Sequence, residues 1–181
     1  MHYSILLSTF AAAVAADTTT FYTMAFDYGN ASNPDAPNPL YLPVVLAENA
    51  TSGIHVLKGE RPSVYTGTPF EFGGNAVDGP APVDLIFRDG YNAGAEVPDV
   101  GNGSVEAKVF PILAVRDREG DGRWFERNGF LDRVKLAMGQ DFFACKDIVQ
   151  GEEAVLLSWG IEGPGGELPA GCRKTNVILR E

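Results

Sequence analysis

Residues 154–159, Ala154-Val155-Leu156-Leu157-Ser158-Trp159, read as a buried strand, because the apolar run is continuous and closes on a large aromatic. Upstream, Asp141 to Cys145 is a second short strand, and Asn176 to Arg180 downstream is another. Toward the N-terminus the pattern changes from continuous to alternating. Val83, Leu85 and Phe87 alternate with Asp84 and Arg88, and Thr20 to Tyr28 places Tyr22, Met24, Phe26 and Tyr28 on one face. Val105, Ala107 and Val109 alternate with Glu106 and Lys108 until Pro111, which demands a bulge, an edge position or a break. Leu42 to Ala47, Gly53 to Lys58, Pro69 to Phe72 and Leu131 to Met138 complete the set. Short strands at this spacing, separated by Gly/Pro/Asn turns, predict an all-β fold: a single-domain β-sandwich or closed β-barrel.

Composition agrees with that reading. The chain has 181 residues, 45% of them hydrophobic and 21% charged, which is an ordinary globular balance. Gly 21 and Pro 12 are high enough to favour turns over long helices. No repeat and no sustained helical periodicity appears. Gly29 to Pro39 and Tyr91 to Gly103 are expected to be loops, being rich in Asn, Gly and Pro. The formal charge of -10 disfavours nucleic acid and anionic membrane as partners, since both reward Lys and Arg. The charge is uneven: residues 17–107 carry 12 acids and 3 bases, and residues 108–181 carry 12 acids and 11 bases. Crowded acids in the first part predict stability that rises as pH falls from 7 toward 5.

The address is read at the N-terminus. Residues 1–16 lack Asp, Glu, Lys and Arg, carry an apolar stretch from Ile5 to Ala16, and place small Val14 and Ala16 as signal peptidase requires. They are expected to be a signal peptide cleaved before Asp17, leaving residues 17–181 as one secreted, β-rich domain, extracellular or in a cell wall. Three N-glycosylation sequons, at Asn30, Asn49 and Asn102, fit the same compartment. The C-terminus lacks the hydrophobic tail of a glycolipid anchor signal. Cys145 and Cys172 are the only two cysteines, so in an oxidising compartment one disulfide is expected, contributing about 3 to 4 kcal/mol.

Chemistry-bearing patterns are few. His55 is the one histidine beyond the signal segment, and its apolar neighbours in Gly53-Ile54-His55-Val56-Leu57 point it outward rather than into a charge relay. With the cysteines bridged, zinc ligands are too few, and no metal or cofactor is expected. Gly163-Pro164-Gly165-Gly166 lacks the lysine of a P-loop and reads as a loop. Asp117 to Gly122 begins like a calcium loop, but the twelfth position is Asn128 and Arg118 and Arg123 sit among the ligands; a turn between strands is expected. Trp124-Phe125 and Trp159 are candidates for a sugar-stacking platform, with Trp159 expected in the core and Trp124, among charged neighbours, at the surface. No carboxylate pair stands out as glycosidase machinery, and no catalytic residue is assigned.

The run Trp124, Phe130-Leu131, Gly139-Gln140-Asp141-Phe142-Phe143-Ala144-Cys145, Leu157-Ser158-Trp159, Pro169-Ala170-Gly171-Cys172, Val177-Ile178-Leu179 resembles the PhiA-type fungal cell wall proteins and related small secreted fungal proteins. The resemblance covers the C-terminal third well and Leu42 to Leu57 weakly. It implies a secreted all-β protein associated with the fungal wall, with no established catalytic activity and no catalytic residues to carry over. The expected function is therefore a non-catalytic wall or extracellular interaction protein, with cell-wall polysaccharide or an extracellular protein as partner. The alternative is a carbohydrate-binding module or a small carboxylate-dependent glycosidase. A groove holding Trp124 beside two facing carboxylates would favour the enzyme, and a closed, featureless surface the first reading.

Overall fold

The computed structural model describes residues 21–28, 41–48, 54–61, 66–73, 79–87, 89–101, 106–136 and 138–180. The expected signal segment, the three sequon asparagines and the Gly29 to Pro39 loop lie outside the described residues. Among the described residues, fourteen strands run in chain order: β1 (Thr23–Asp27), β2 (Tyr41–Glu48), β3 (His55–Gly59), β4 (Phe70–Phe72), β5 (Val83–Ile86), β6 (Asn92–Glu96) and β7 (Lys108–Pro111). They continue with β8 (Leu113–Arg116), β9 (Trp124–Arg127), β10 (Phe130–Arg133), β11 (Gln140–Val149), β12 (Glu152–Ile161), β13 (Cys172–Lys174) and β14 (Val177–Arg180). The fold is all-β, and every strand pairing is antiparallel.

The hydrogen-bonded path runs β4-β5-β6-β8-β3-β2-β1-β14-β10-β9, with β12 joined to β3 and flanked by β11 and β7, and β13 on the far side of β11. This sheet curls into a half-barrel. Two backbone bridges tie it across: Tyr22 to Phe70 at 2.9 and 2.8 Å, and Ala81 to Trp124 at 2.7 and 3.1 Å. Inside the curl sit Met24, Phe26, Val83, Leu85, Leu157 and both tryptophans, all buried. The expected faces hold: Tyr22, Met24, Phe26 and Tyr28 all join this core.

β12 explains its own continuous pattern. Leu157 and Trp159 face the main core, whereas Ala154 and Leu156 join Val56 in a second apolar cluster, so both faces are covered. β11 and β12, ten residues each, form a hairpin turned by Gln150 (φ 54°) and Gly151 (φ 84°), the left-handed pair that a two-residue turn needs. Cys145 lies directly opposite Cys172 across β11 and β13, and the two are bonded. Because β13 pairs with β11 and with no other strand, the disulfide fixes a three-residue edge strand that few hydrogen bonds hold. β7 is also an edge, paired to β12, which is where Pro111 can sit without breaking a ladder on both sides.

Three expectations need correction. Tyr91 to Gly103 is not all loop, because it contains β6, a strand made from Asn92-Ala93-Gly94-Ala95-Glu96. Trp124 is buried at 1% exposure rather than at the surface: β9 alternates, so Arg127 falls on the opposite face, and the Arg123 that precedes the strand is exposed. The strand expected over Leu131 to Met138 ends at Arg133.

Candidate functional site

An open groove of about 700 Å³ runs along β2 and β3, walled by Leu46, Glu48, His55, Lys58, Thr68 and Phe87 among others. Pairing of Glu48 with His55 across β2 and β3 sets the floor. Residues 67–69 form one side: Thr68 N–H donates to the Val44 carbonyl at 2.7 Å, and its Oγ1 accepts from Leu46 N–H at 3.1 Å. The turn joining β5 to β6 forms the rim. Phe87 N–H donates to the Tyr91 carbonyl (2.7 Å) and Gly90 N–H to the Phe87 carbonyl (3.0 Å), which holds Phe87, Asp89 and Tyr91 close together.

Arg116 on β8 clamps that rim. Its guanidinium lies 4.1 Å from the Tyr91 ring centre and 5.4 Å from that of Phe87, and Nη2 is 3.1 Å from Asp89 Oδ2. Within the groove Lys58 Nζ meets Glu60 Oε1 at 2.5 Å. Gln150 at the tip of the β11–β12 hairpin lines the opposite end and donates to the Glu48 carbonyl at 3.0 Å.

His55 is half-buried, edge-on to Phe87 with ring centres 4.7 Å apart, and its buried Nδ1 has no hydrogen-bond partner. A base in a nucleophilic triad is held by a third group on one ring nitrogen. Here Nδ1 has no such holder, and the ring is placed by packing. Glu60 and Asp89 are engaged by Lys58 and Arg116, so the groove does not offer two bare facing carboxylates. Nor does it hold Trp124. Neither expected pattern is met: the surface is not featureless, and its groove is not the tryptophan-and-carboxylate cleft.

The other sequence candidates resolve as follows. Trp159 is in the core at 1% exposure, as expected. Trp124 and Trp159 flank the ring of Phe142 at 6.0 and 4.9 Å, so the aromatic platform is internal. Phe125 is half-buried beneath the Arg127 guanidinium. Asp117 to Gly122 is the connection between β8 and β9, stitched to the sheet by Asp117 N–H to Asn92, Asp121 N–H to Ala95 and Gly120 N–H to Asp84 Oδ1. Asp121 meets Arg133 at 2.5 Å. Gly163 to Gly166 is a loop closed on itself by Gly163 N–H to the Glu167 carbonyl.

Among the described residues, the proton affinity of three groups is shifted by their surroundings. Burial pushes the Asp84 carboxyl up, with Glu119 adding to it and the Gly120 N–H opposing. Burial lowers Arg133, against the pull of Asp121. The hydrogen bond to Asp141 raises Lys174. Comparison with protein-family models, with curated proteins and with solved structures finds no match for this chain.

Proposed function

We propose that this is a non-catalytic secreted protein of the fungal wall or its surroundings, which binds an extracellular partner in the His55 groove. One observation carries the reading. The groove is large and mixes apolar and aromatic surface with charged groups, of which Glu60 and Asp89 are paired to Lys58 and Arg116, while its histidine lacks an orienting partner on Nδ1. Such a surface suits recognition more than proton transfer. The disulfide is consistent with an extracellular setting.

Carbohydrate binding is the second reading, favoured by the exposed Tyr91 ring held flat under Arg116 at the rim. A panel of insoluble wall polysaccharides and surface-displayed extracellular proteins tests both. Retention should fall at least about tenfold in Tyr91→Ala, the loss of one ring-stacking contact. It should be unchanged in Ile148→Ala, an exposed position on the β11–β12 hairpin. Release of reducing sugar from any retained polysaccharide defeats the non-catalytic reading, and equal retention of Tyr91→Ala removes the groove from it.

A further inference from the structure

A second, smaller cavity of about 140 Å³ lies between residues 97–100, which follow β6, and a wall of Arg123, Arg133, Leu136, Gln140 and Trp159. We propose that it is a binding site for a small monocarboxylate with a short apolar body.

Geometry supplies the anion preference. Arg133 is only 3% exposed, and its guanidinium packs near two indoles, 5.6 Å from the Trp124 ring centre and 5.2 Å from that of Trp159. Nη2 is taken by Asp121 at 2.5 Å, and the buried Nε has no partner. Arg123 brings a second guanidinium to the same cavity and has no acidic partner among the described residues. The two cations repel, which adds to the effect of burial on Arg133. A carboxylate matches the forked N–H geometry of guanidinium and relieves that repulsion.

The remaining lining sets size and charge. Val97, Pro98, Val100 and Leu136 give an apolar wall opposite the Trp159 indole. The modest volume of the cavity suits a short acyl chain. Asp99 also lines the cavity, with Oδ1 accepting the Gly101 N–H at 2.8 Å. Its charge makes a dianion such as sulfate less welcome than a monoanion. A neutral isostere offers one carbonyl acceptor but no charge to set against the two guanidinium groups.

The chain's two tryptophans, Trp124 and Trp159, both contact Arg133, so intrinsic fluorescence reports on the site directly. The full chain is titrated at constant ionic strength with propionate, propionamide and sulfate, and the two indole N–H resonances are followed in parallel by NMR. Saturable change with propionate, and little or none with the other two, is the expected result. Arg123→Gln, at an exposed residue, should weaken propionate at least about tenfold while leaving the melting temperature in place. No saturable propionate response, an equal response to propionamide or sulfate, or an unchanged affinity in Arg123→Gln overturns the assignment. Loss of polysaccharide or protein retention in the groove assay does not bear on it, because the two cavities share no residue.

Discussion

Arg116 and Arg133 make the same contacts in opposite settings. Each lays its guanidinium against two aromatic rings and pairs it with an aspartate. Arg116 is 42% exposed and Asp89 52%, at the rim of the groove; Arg133 is 3% exposed beneath the β8–β9 connection. Water can replace any bond that Arg116 loses, and cannot reach most of those around Arg133. The same residue types therefore give a replaceable clamp at one place and a structural commitment at the other.

Removing the buried counter-ion should give the largest effect. Asp121→Ala leaves the Arg133 charge uncompensated and should cost about 3 to 5 kcal/mol, seen in urea melts. Asp121→Ala combined with Arg133→Met should recover most of it, since a buried pair replaced by apolar volume is often neutral. Failure to recover would mean that Arg133 matters through its cavity contacts rather than its charge.

Next comes the connection that delivers Asp121. A Cβ on Gly94 would sit 2.3 Å from the Gly120 nitrogen and 2.4 Å from the Arg118 oxygen, both backbone, so β6 and the connection approach as only glycine permits. Gly94→Ala should cost about 2 to 3 kcal/mol through that clash, and it should weaken the Asp121–Arg133 pair as the connection lifts. Indole fluorescence measured alongside the melt checks the second effect.

These close contacts also explain what the sequence concealed. The alternation of Val83 and Leu85 and the face from Tyr22 to Tyr28 were legible, because one side of each strand meets the core. β6 was not: Gly94 has no side chain because the backbone of Arg118 to Gly120 presses on it, and Ala93 and Ala95, although buried in the core, carry too little apolar bulk to read as a strand face. Trp124 was misplaced because its charged neighbours were weighed as a local environment, whereas a strand separates neighbours onto opposite faces. Asn128-Gly129 between Trp124 and Leu131 was the available signal: both residues have positive φ (54° and 80°), and they turn β9 into β10. The groove itself was beyond reach, since His55, Thr68, Phe87 and Gln150 meet only through the curl of the sheet.

At the exposed end of the comparison, Arg116→Ala should cost under about 1 kcal/mol and less still in high salt. Its effect should appear instead in groove binding, as Tyr91 and Asp89 lose the group that holds them. A melt shift as large as that of Asp121→Ala would show that the rim is structural after all.

The smallest effect belongs to Asp84, between the two regions. It is partly buried, accepts the Gly120 N–H at 2.8 Å, and has its carboxyl raised chiefly by burial and further by Glu119. An acid whose folded-state pKa lies above its unfolded value binds its proton more readily in the native protein. Its ionised form therefore costs stability at pH 7, and that cost is relieved as pH falls through the folded pKa toward about 4, the ordinary carboxylate range. Asp84→Asn keeps an acceptor for Gly120 and removes the charge. It should melt slightly above the parent at pH 7, and the difference should close as pH falls toward 4. Parallel melts of parent and Asp84→Asn from pH 4 to 7 check this: a gap that widens with acid would mean that the Gly120 hydrogen bond, and not burial, governs this carboxyl.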